Sequence, residues 1–460
     1  MKTISVLVLF LFVLSVGVAG AAPPSQTGGE TYAVQADDWL SKLADKFYGD
    51  VFAWPAIWEA TNAKATEDDS FAVIEDPNVI EVGQKLWIPS QDEAQAILAN
   101  RAMDDVPQDI TATLQNVLDN WSETNDIIGV SLAVYGPEVG EVELASGLSN
   151  LDAGTAMAPS NQLYAGSVTK TFIAALILQL IEEGKLSFDD TLDQWYPDFP
   201  NAETITVRQM LNMTSGTFDY FRASPDNPIL PQLMMDLDRV WNPEETIGFV
   251  ADLEPTAEPG TMYDYSNTNY IFLGRIIEEV TGNDLEVELQ TRILEPLAMD
   301  STYLAGTQAS AKNMAHGYAR DAAFLFGSEE PIADSSGKLT AIKTIGWAAG
   351  GLVSNAGDLA RFAQALFGGG LLSQEALTGM VTPGPLQGEE GQPYALGVEV
   401  QSTPVGEAVG HPGSVPGGFS SLMLYVPEHD IAVVVMSNDE QAEPLLAALV
   451  SEVLDAVLQN

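Results

Sequence analysis

Hydrophobic and polar positions near the N-terminus of this 460-residue chain form two alternating and two helical patterns. Apolar residues with a period of two are typical of strands, whereas spacings of three and four residues are typical of amphipathic helices. In chain order, the strand, helix, helix and strand patterns cover about residues 32–34, 38–48, 55–62 and 85–88. We therefore predict a small β-α-α-β module over residues 31–90, after a Pro/Ser/Gly-rich linker at residues 22–30.

A polar helical connector at residues 91–108 leads to one long unit over residues 109–460. The unit begins with a helix and two strands, has helical patterns through much of its middle, and ends with three strands and a helix. These first and last segments cover residues 110–121, 129–135, 141–145, 397–400, 420–426, 431–436 and 444–458. The pattern predicts an α+β fold, in which an antiparallel sheet takes strands from both chain ends and is covered by helices.

Residues 1–21 have the pattern of a signal peptide. Lys2 gives a positive start, Ile4–Val18 form a short apolar core, and Ala19–Ala21 offer small residues for cleavage. The apolar run is short for a membrane span, although retention as an uncleaved anchor stays open. We expect the mature protein to be secreted or associated with the cell envelope, without a stable membrane span after signal cleavage.

Charge and composition exclude several partners and chemistries. The chain has 65 acidic and 18 basic residues, which give it a formal net charge of −47. Such a charge opposes nucleic-acid binding, which depends on basic side chains that neutralise phosphates. This negative charge is consistent either with keeping a secreted protein soluble or with adaptation to high salt, where counterions screen the repulsion between like charges. The absence of cysteine excludes disulfides, thiol catalysis and cysteine-ligated metals.

Several common catalytic motifs are missing from the sequence. His316, His411 and His429 form neither an HExxH motif nor a close pair, so we expect no catalytic zinc. Around Ser167, Ala165 stands where a Gly-x-Ser-x-Gly elbow has its first glycine. No phosphate-binding loop is present. We therefore expect neither a metal nor another cofactor.

A Ser-x-x-Lys pair occurs twice, at Ser167–Lys170 and at Ser335–Lys338. The second copy lies in a polar, glycine-containing stretch that is typical of a surface loop. The first copy begins a helical segment, residues 171–181, that is apolar all round and is typical of a helix buried inside a domain. Positions three apart share a helical face, so the Lys170 amine can approach the Ser167 hydroxyl. We therefore predict Ser167 as a nucleophile.

Two later motifs are candidates for the base and the oxyanion donor that such a serine needs. Tyr265 and Asn267 form the one Tyr-x-Asn of the chain, before an apolar helix. Asn267 is also an ordinary helix cap, whereas a tyrosine near cations could supply a phenolate. His411 and Gly413 form a His-x-Gly segment. This segment is either a turn or a strand that brings a cation and a backbone donor to the nucleophile.

In this order, the three motifs resemble those of the penicillin-recognising serine hydrolases. The matching branch holds class C β-lactamases, D-Ala-D-Ala carboxypeptidases, esterases and D-aminopeptidases. The resemblance runs from about Ile110 to the C-terminus and is reinforced by residues 183–190, 207–216 and 348–362. It implies an antiparallel sheet flanked by helices and a mostly helical lobe, with the active site between them.

The same resemblance implies a role for each motif residue. Ser167 would be acylated, Lys170 would tune its reactivity and share its proton, and Tyr265 would act as general base. Asn267 would orient the substrate amide. The backbone N–H groups of Ser167 and Ser414 would form the oxyanion hole.

The third motif departs from the family pattern. β-Lactamases of this branch usually carry Lys-Thr-Gly, whose lysine and threonine favour a substrate carboxylate. Here His411 can be neutral near pH 7, and Pro412 brings no hydroxyl. Carboxylate binding is therefore weakened unless Ser414 or Arg320 compensates, which argues against an efficient β-lactamase.

Residues 31–90 resemble a LysM module, the small domain that binds glycans containing N-acetylglucosamine. The matching pieces run in unbroken order from Tyr32-x-Val34 to Val82–Pro89. The resemblance implies peptidoglycan or another such glycan as a partner, and a retained structural spacer is the alternative. The implied glycan-contacting residues are Asp38, Trp39, Leu40, Asn62 and Ile80.

The sequence thus favours a secreted, wall-associated serine hydrolase that acts through an acyl-enzyme on a small acyl or D-amino-acid peptide substrate. A D-Ala-D-Ala carboxypeptidase or a related D-amino-acid peptidase is the leading interpretation. A broad-specificity esterase on the same scaffold and a catalytically idle glycan-binding scaffold protein are the alternatives.

Overall fold

The computed structural model describes most of the chain from residue 29 onward. The described residues are 29–35, 38–49, 53–68, 70–74, 77, 80–103, 108–137, 139–222, 227, 229–236, 239–305, 313–319, 340–386, 391 and 393–458. The predicted signal peptide, Arg320 and the Ser335–Lys338 pair lie outside them. Among the described residues, no helix has both the length and the apolar character that a membrane span requires.

The N-terminal module, residues 30–90, contains two strands and two helices around a small apolar core. Their bounds are β1 Glu30–Ala33, α1 Leu40–Tyr48, α2 Trp54–Ala65 and β2 Lys85–Ile88, and α3 Gln91–Met103 follows. The two strands are antiparallel, with Tyr32 opposite Leu86. Leu43, Ile57 and Leu86 are buried between the strands and the helices.

A seven-stranded sheet lies at the centre of the long unit. The strands of this unit are β3 Gly129–Gly136, β4 Gly140–Asn150, β5 Thr155–Ala156, β6 Leu163–Tyr164, β7 Tyr303–Leu304, β8 Leu352–Ser354, β9 Glu399–Thr403, β10 Gly406–Val415, β11 Phe419–Val426 and β12 Ile431–Ser437. The order in the large sheet is β5-β4-β3-β12-β11-β10-β9, and all neighbours are antiparallel. Strands from both ends of the unit therefore pair, which confirms the predicted α+β fold.

Helices of the long unit pack on both faces of this sheet and on one another. The described helices of the unit are α4 Gln108–Thr124, α5 Thr169–Glu182, α6 Val207–Leu211, α7 Ile229–Met235, α8 Pro243–Ala251, α9 Asn267–Thr281, α10 Leu285–Leu289, α11 Thr340–Gly350, α12 Ala356–Phe367, α13 Gln374–Val381 and α14 Leu446–Leu458. On one face, α4 and α14 bury apolar sheet residues such as Leu132 and Val435. On the other face, α12 packs on the sheet and α5 packs on α12, where the Phe172 and Phe362 rings stack.

Candidate active site

Ser167 lies at the junction between a small sheet and the buried helix α5. The small sheet has the order β6-β8-β7, and β6 leads into a 3₁₀ turn over Gly166–Val168. Gly166 has φ +54°, a conformation that glycine adopts without the steric cost of a side chain. The Thr169 hydroxyl donates to the Gly166 carbonyl at 2.6 Å and closes the turn. Ser167 is thereby held at the start of α5, where the sequence predicts it.

Lys170 is fully buried beside this serine. Its Nζ lies 2.9 Å from Ser167 Oγ, 2.8 Å from Asn267 Oδ1 and 2.6 Å from the Ala349 carbonyl oxygen. Burial disfavours the charged form and lowers the pKa of the amine to about 7, against an opposing effect of the Asp219 charge. A substantial fraction of Lys170 is therefore neutral at neutral pH.

The neighbours of Nζ fit a neutral amine. The amide oxygen of Asn267 and the carbonyl oxygen of Ala349 can only accept hydrogen bonds, so each takes one N–H group. A neutral amine has two N–H groups and one lone pair. The lone pair is then left for the Ser167 hydroxyl, which can donate its proton to Nζ. The same three contacts also fit an ammonium that donates to Ser167 Oγ, so it is the lowered pKa of Lys170 that favours the neutral amine as the proton acceptor for Ser167.

Tyr265 approaches the same serine from the loop before α9. Its hydroxyl donates to Ser167 Oγ at 2.9 Å. Burial raises the pKa of this phenol well above its ordinary value, since the phenolate would lie in an apolar site. Burial therefore favours Tyr265 as a neutral donor, and its implied role as general base stays a prediction.

Asn267 begins α9 and connects Lys170 with a carboxylate that the sequence analysis missed. Its Nδ2 donates to both oxygens of Asp219, at 3.2 and 3.3 Å, and its backbone N–H donates to the same side chain at 3.1 Å. Because a carboxylate only accepts, the amide oxygen must face Lys170. The Asn267 amide therefore joins Asp219 to Lys170 and positions the amine, and its implied contact with the substrate amide stays a prediction.

Asp219 is itself buried, and its charge acts on the site through Lys170. Burial raises the pKa of this carboxyl, although hydrogen bonds from Phe221 and Asn267 favour the charged form. Asp219 lies three residues after the reinforcing segment that ends at Gly216, but it belongs to none of the three motifs. Its proximity to that segment was the only signal that could have drawn attention to it.

His411 lies on a strand and not in a turn. In β10 it stands opposite Met423 of β11. Its Nδ1 lies 2.6 Å from the Pro412 carbonyl oxygen, which can only accept, so Nδ1 carries the proton. Nε2 is then an acceptor for the Tyr394 hydroxyl at 3.1 Å. Burial lowers the pKa of His411 to about 3, which favours the neutral imidazole over the cation at this position.

The segment Gly413–Ser414 lies directly against the turn that carries Ser167. A Cβ atom on Gly413 would lie 2.1 Å from the Ala165 carbonyl oxygen and 3.0 Å from the Ser167 backbone nitrogen. One on Gly166 would lie 2.6 Å from the Ser414 backbone nitrogen. Glycine is needed at both places for the two backbones to meet. The oxyanion hole stays a prediction, now with its two backbone segments in contact.

A cleft of about 360 Å³ opens over Ser167. Among the residues that the structure describes, it contains aromatic rings and two carboxylates but no lysine or arginine. Its lining residues are Ser167, Tyr263, Tyr265, Tyr394, Glu399, His411, Pro412, Gly413, Ser414 and Glu443. The described part of the chain also contains no group of three or more His, Asp or Glu side chains arranged to hold a metal ion.

The residues implied in glycan contact do not form one open site. Leu40 is buried in the core of the N-terminal module. Asn62 donates to the Ile74 carbonyl at 3.0 Å and accepts from its N–H at 2.7 Å, so it fixes a loop. Asp38 accepts from the Tyr32 hydroxyl at 2.7 Å. Trp39 and Ile80 are half-buried.

The N-terminal module touches the long unit beside Trp39. The Ser41 hydroxyl donates to the Gly369 carbonyl at 3.2 Å. Trp39 and Ser41 line a narrow crevice together with Gly369 and Leu372. The loop that the resemblance assigns to glycan therefore faces the connection between α12 and α13.

A serine held between a buried amine and a phenol, on a sheet of this topology, places the chain among the serine hydrolases with a β-lactamase/transpeptidase-like fold. A family model described as Beta-lactamase matches residues 110–457. The chain belongs to that family, and the match covers the whole unit that carries the site.

Individual relatives support the same assignment. Penicillin-binding protein 4* of Bacillus subtilis (strain 168) is 28% identical over 335 residues, which cover 71% of this chain and 72% of that protein. The structure of D-amino acid amidase from Ochrobactrum anthropi SV3 complexed with L-phenylalanine amide has a TM-score of 0.67 and 26% identity, and the match covers 76% of this chain and 99% of that one. The structure of a D-stereospecific amidohydrolase from Streptomyces sp. has a TM-score of 0.62 and 27% identity, and the match covers 75% of this chain and 97% of that one.

Proposed function

We propose that this protein is a secreted, cell-wall-associated serine hydrolase that cleaves D-amino-acid peptides or amides through an acyl-enzyme at Ser167. One observation carries the proposal: Ser167 Oγ lies 2.9 Å from the buried amine of Lys170, which also contacts the acceptors Asn267 Oδ1 and Ala349 O. The likeness to a D-amino acid amidase and a D-stereospecific amidohydrolase supports a D-configured substrate.

In the proposed reaction, Ser167 Oγ attacks the substrate carbonyl carbon and its proton passes to Lys170 Nζ. The backbone N–H groups of Ser167 and Ser414 stabilise the negative charge that develops on the carbonyl oxygen. When the C–N bond breaks, the leaving amine receives the proton from Lys170 by way of the Tyr265 hydroxyl. Water then attacks the acyl-enzyme ester, gives up a proton to the same groups, and releases the acid with Ser167 restored.

The N-terminal module is proposed to hold the enzyme near peptidoglycan, on the strength of its LysM-like sequence. Tethering a catalytic unit to a polymer raises the local concentration of the stem peptides that the polymer carries. Of the residues implied in glycan contact, Trp39 and Ile80 are half-buried, whereas Leu40 is buried. Sedimentation with purified peptidoglycan tests this part, and Trp39→Ala is expected to weaken the binding.

The activity is tested with the mature protein on a muropeptide, D-alanine p-nitroanilide, its L-isomer and phenyl acetate. Hydrolysis of the muropeptide and of the D-anilide in preference to the L-anilide is expected, and Ser167→Ala should abolish it. Ser335→Ala is the matched control, because it removes the serine of the second Ser-x-x-Lys pair. Turnover of phenyl acetate alone would instead favour the esterase, and peptidoglycan binding without any turnover would favour the idle scaffold.

A further inference from the structure

We propose that Glu399 and Glu443 bind a positively charged amino group of the substrate beside Ser167. The enzyme then prefers D-amino-acid amides, esters and peptides with a free N-terminal amine over substrates that end in a carboxylate. This inference rests on the proposed function and narrows its substrate class from a carboxypeptidase towards an aminopeptidase.

Glu399 is placed in the cleft by the edge of the large sheet. It is the first residue of β9 and pairs with Gly410, the residue before His411. Gln401 Nε2 donates to its Oε2 at 2.9 Å, which orients the carboxylate. The side chain is half-buried and lines the same cleft as Ser167. A carboxylate at this position can contact a substrate group that lies against the His411–Gly413 segment.

Glu443 reaches the cleft from a different element. It belongs to a 3₁₀ segment, Glu440–Leu445, that follows β12 and precedes α14. Glu443 is exposed and, like Glu399, contributes to the lining of the cleft. The cleft therefore receives negative charge from two segments that are separate in the sequence.

Aromatic rings in the same cleft add further groups that attract a cation. The Tyr263 and Tyr394 ring centres lie 5.6 Å apart, and those of Tyr265 and Tyr394 lie 6.3 Å apart. Ring faces attract ammonium groups because their quadrupole is negative there. Carboxylates beside such rings are a combination that recognises an ammonium group by both charge and shape.

A substrate carboxylate would find no counter-ion among the described residues of this cleft. His411, at the place of the family's usual lysine, is neutral and its Nε2 is occupied by Tyr394. Lys170 lies behind Ser167 and uses its N–H groups on Asn267 and Ala349. A carboxylate would therefore lie among two other carboxylates, where like charges repel.

The decisive comparison uses pairs of substrates that differ only in the amino group. D-Alanine p-nitroanilide and D-alanine methyl ester are each compared with the N-acetyl form, which has no charge. N-acetyl-D-Ala-D-Ala supplies a free carboxylate. The wild-type enzyme is expected to favour each free amine by about ten- to a hundredfold in kcat/KM, as for a hydrogen bond between charged groups.

Glu399→Gln and Glu443→Gln should each lower kcat/KM more for the free-amine substrates than for their N-acetyl forms, and so reduce that preference. Glu407→Gln is the matched control, because Glu407 is an exposed residue of β10 that does not line the cleft. The acidic surface as a whole could also attract a cation. The measurements are therefore repeated at about 1 M salt, where screening acts within about 3 Å, and the preference should persist.

An equal or greater rate on the N-acetyl substrates, or an undiminished preference in both variants, would overturn the inference. So would efficient cleavage of N-acetyl-D-Ala-D-Ala that Arg320→Ala abolishes, since it would reveal a carboxylate site. The comparison within wild-type enzyme does not depend on how the variants fold. If only esters are cleaved, the proposed peptidase function fails, and the methyl ester pair still decides the inference.

Discussion

Burial of the Lys170 amine decides the protonation state of the site near neutral pH. The side chain is surrounded by acceptors on two sides and by the nucleophile on the third. Tyr265 is buried as well, but burial has the opposite consequence there, because the neutral phenol is the favoured form. The same physical effect thus makes the lysine a base and keeps the tyrosine a donor.

The first prediction concerns the pH dependence of acylation. The kcat/KM for a neutral ester is expected to rise with pH through about 7, because only deprotonated Lys170 can accept the Ser167 proton. The Asp219 charge raises the pKa of Lys170, so Asp219→Asn should lower that pKa and move the midpoint to lower pH. Asp358→Asn, at a buried aspartate outside the cleft, is the control. A midpoint that stays in place or moves to higher pH in Asp219→Asn would contradict the account.

A second prediction separates the two candidate bases. Tyr265→Phe removes the donor to Ser167 Oγ and should lower kcat by about a hundred- to ten-thousandfold, as loss of a proton-transfer group does. The midpoint near pH 7 should remain, because it belongs to Lys170. Tyr196→Phe removes a tyrosine hydroxyl that bonds Glu244 outside the cleft and should have no such effect. Disappearance of the midpoint in Tyr265→Phe would identify the tyrosine as the base.

For individual residues, the sequence identified the members of the motifs but not the groups that hold them in place. Ser167 and Lys170 were found because three-residue spacing and an apolar helix already imply their contact. Asp219 and Tyr394 come from segments distant in the sequence, and no motif marks them. Ala349 lies in the reinforcing segment 348–362, but nothing in that pattern indicates that its carbonyl meets Lys170. The protonation states also required the structure, since they depend on burial that a sequence pattern does not measure.

Among the elements, the contact between β10 and the turn before α5 determines the shape of the site. It is made by glycines on both sides, and the Ser421 hydroxyl donates to the Ala165 carbonyl at 2.8 Å within it. Helix α11 adds a second constraint. It is kinked at Trp347, with φ 31°, two residues before the Ala349 carbonyl that meets Lys170.

Gly166→Ala tests the contact between β10 and the turn. The new Cβ would lie 2.6 Å from the Ser414 nitrogen, so β10 and the turn must separate and kcat should fall by at least about a hundredfold, as for a lost oxyanion donor. Gly184→Ala is the matched control, because Gly184 also has positive φ but has nothing within 4 Å of its added Cβ. Both variants should lose roughly 1–2 kcal/mol of stability for the strained φ. Equal kcat values in the two variants would show that the contact does not position Ser167.

The element that the sequence left open was β10. Pro412 and Gly413 favour a turn, since proline cannot donate to a sheet ladder. The structure accommodates Pro412 because pairing with β9 ends at Gly410, while pairing with β11 continues to Val415. Strands β3, β11 and β12 were predictable because their apolar residues form longer uninterrupted runs, whereas the two-residue β5 was not predicted.

For the whole molecule, the net charge of −47 should make stability depend on salt. Self-repulsion is stronger in the compact folded state than in the expanded unfolded chain, and counterions screen it. The Tm is therefore expected to rise between about 0.05 and 1 M sodium chloride, where the screening length falls several-fold. Thermal unfolding followed by circular dichroism measures this, and a Tm that falls or does not change would contradict the expectation.

The central claim is that Ser167 becomes covalently acylated, and mass spectrometry of a trapped adduct tests it most directly. A fluorophosphonate probe is incubated with the wild-type protein, Ser167→Ala and Ser335→Ala, and the labelled peptide is mapped. The account predicts one adduct, on Ser167, in the wild type and in Ser335→Ala, and none in Ser167→Ala. An adduct on any other residue, or one that persists in Ser167→Ala, would contradict it.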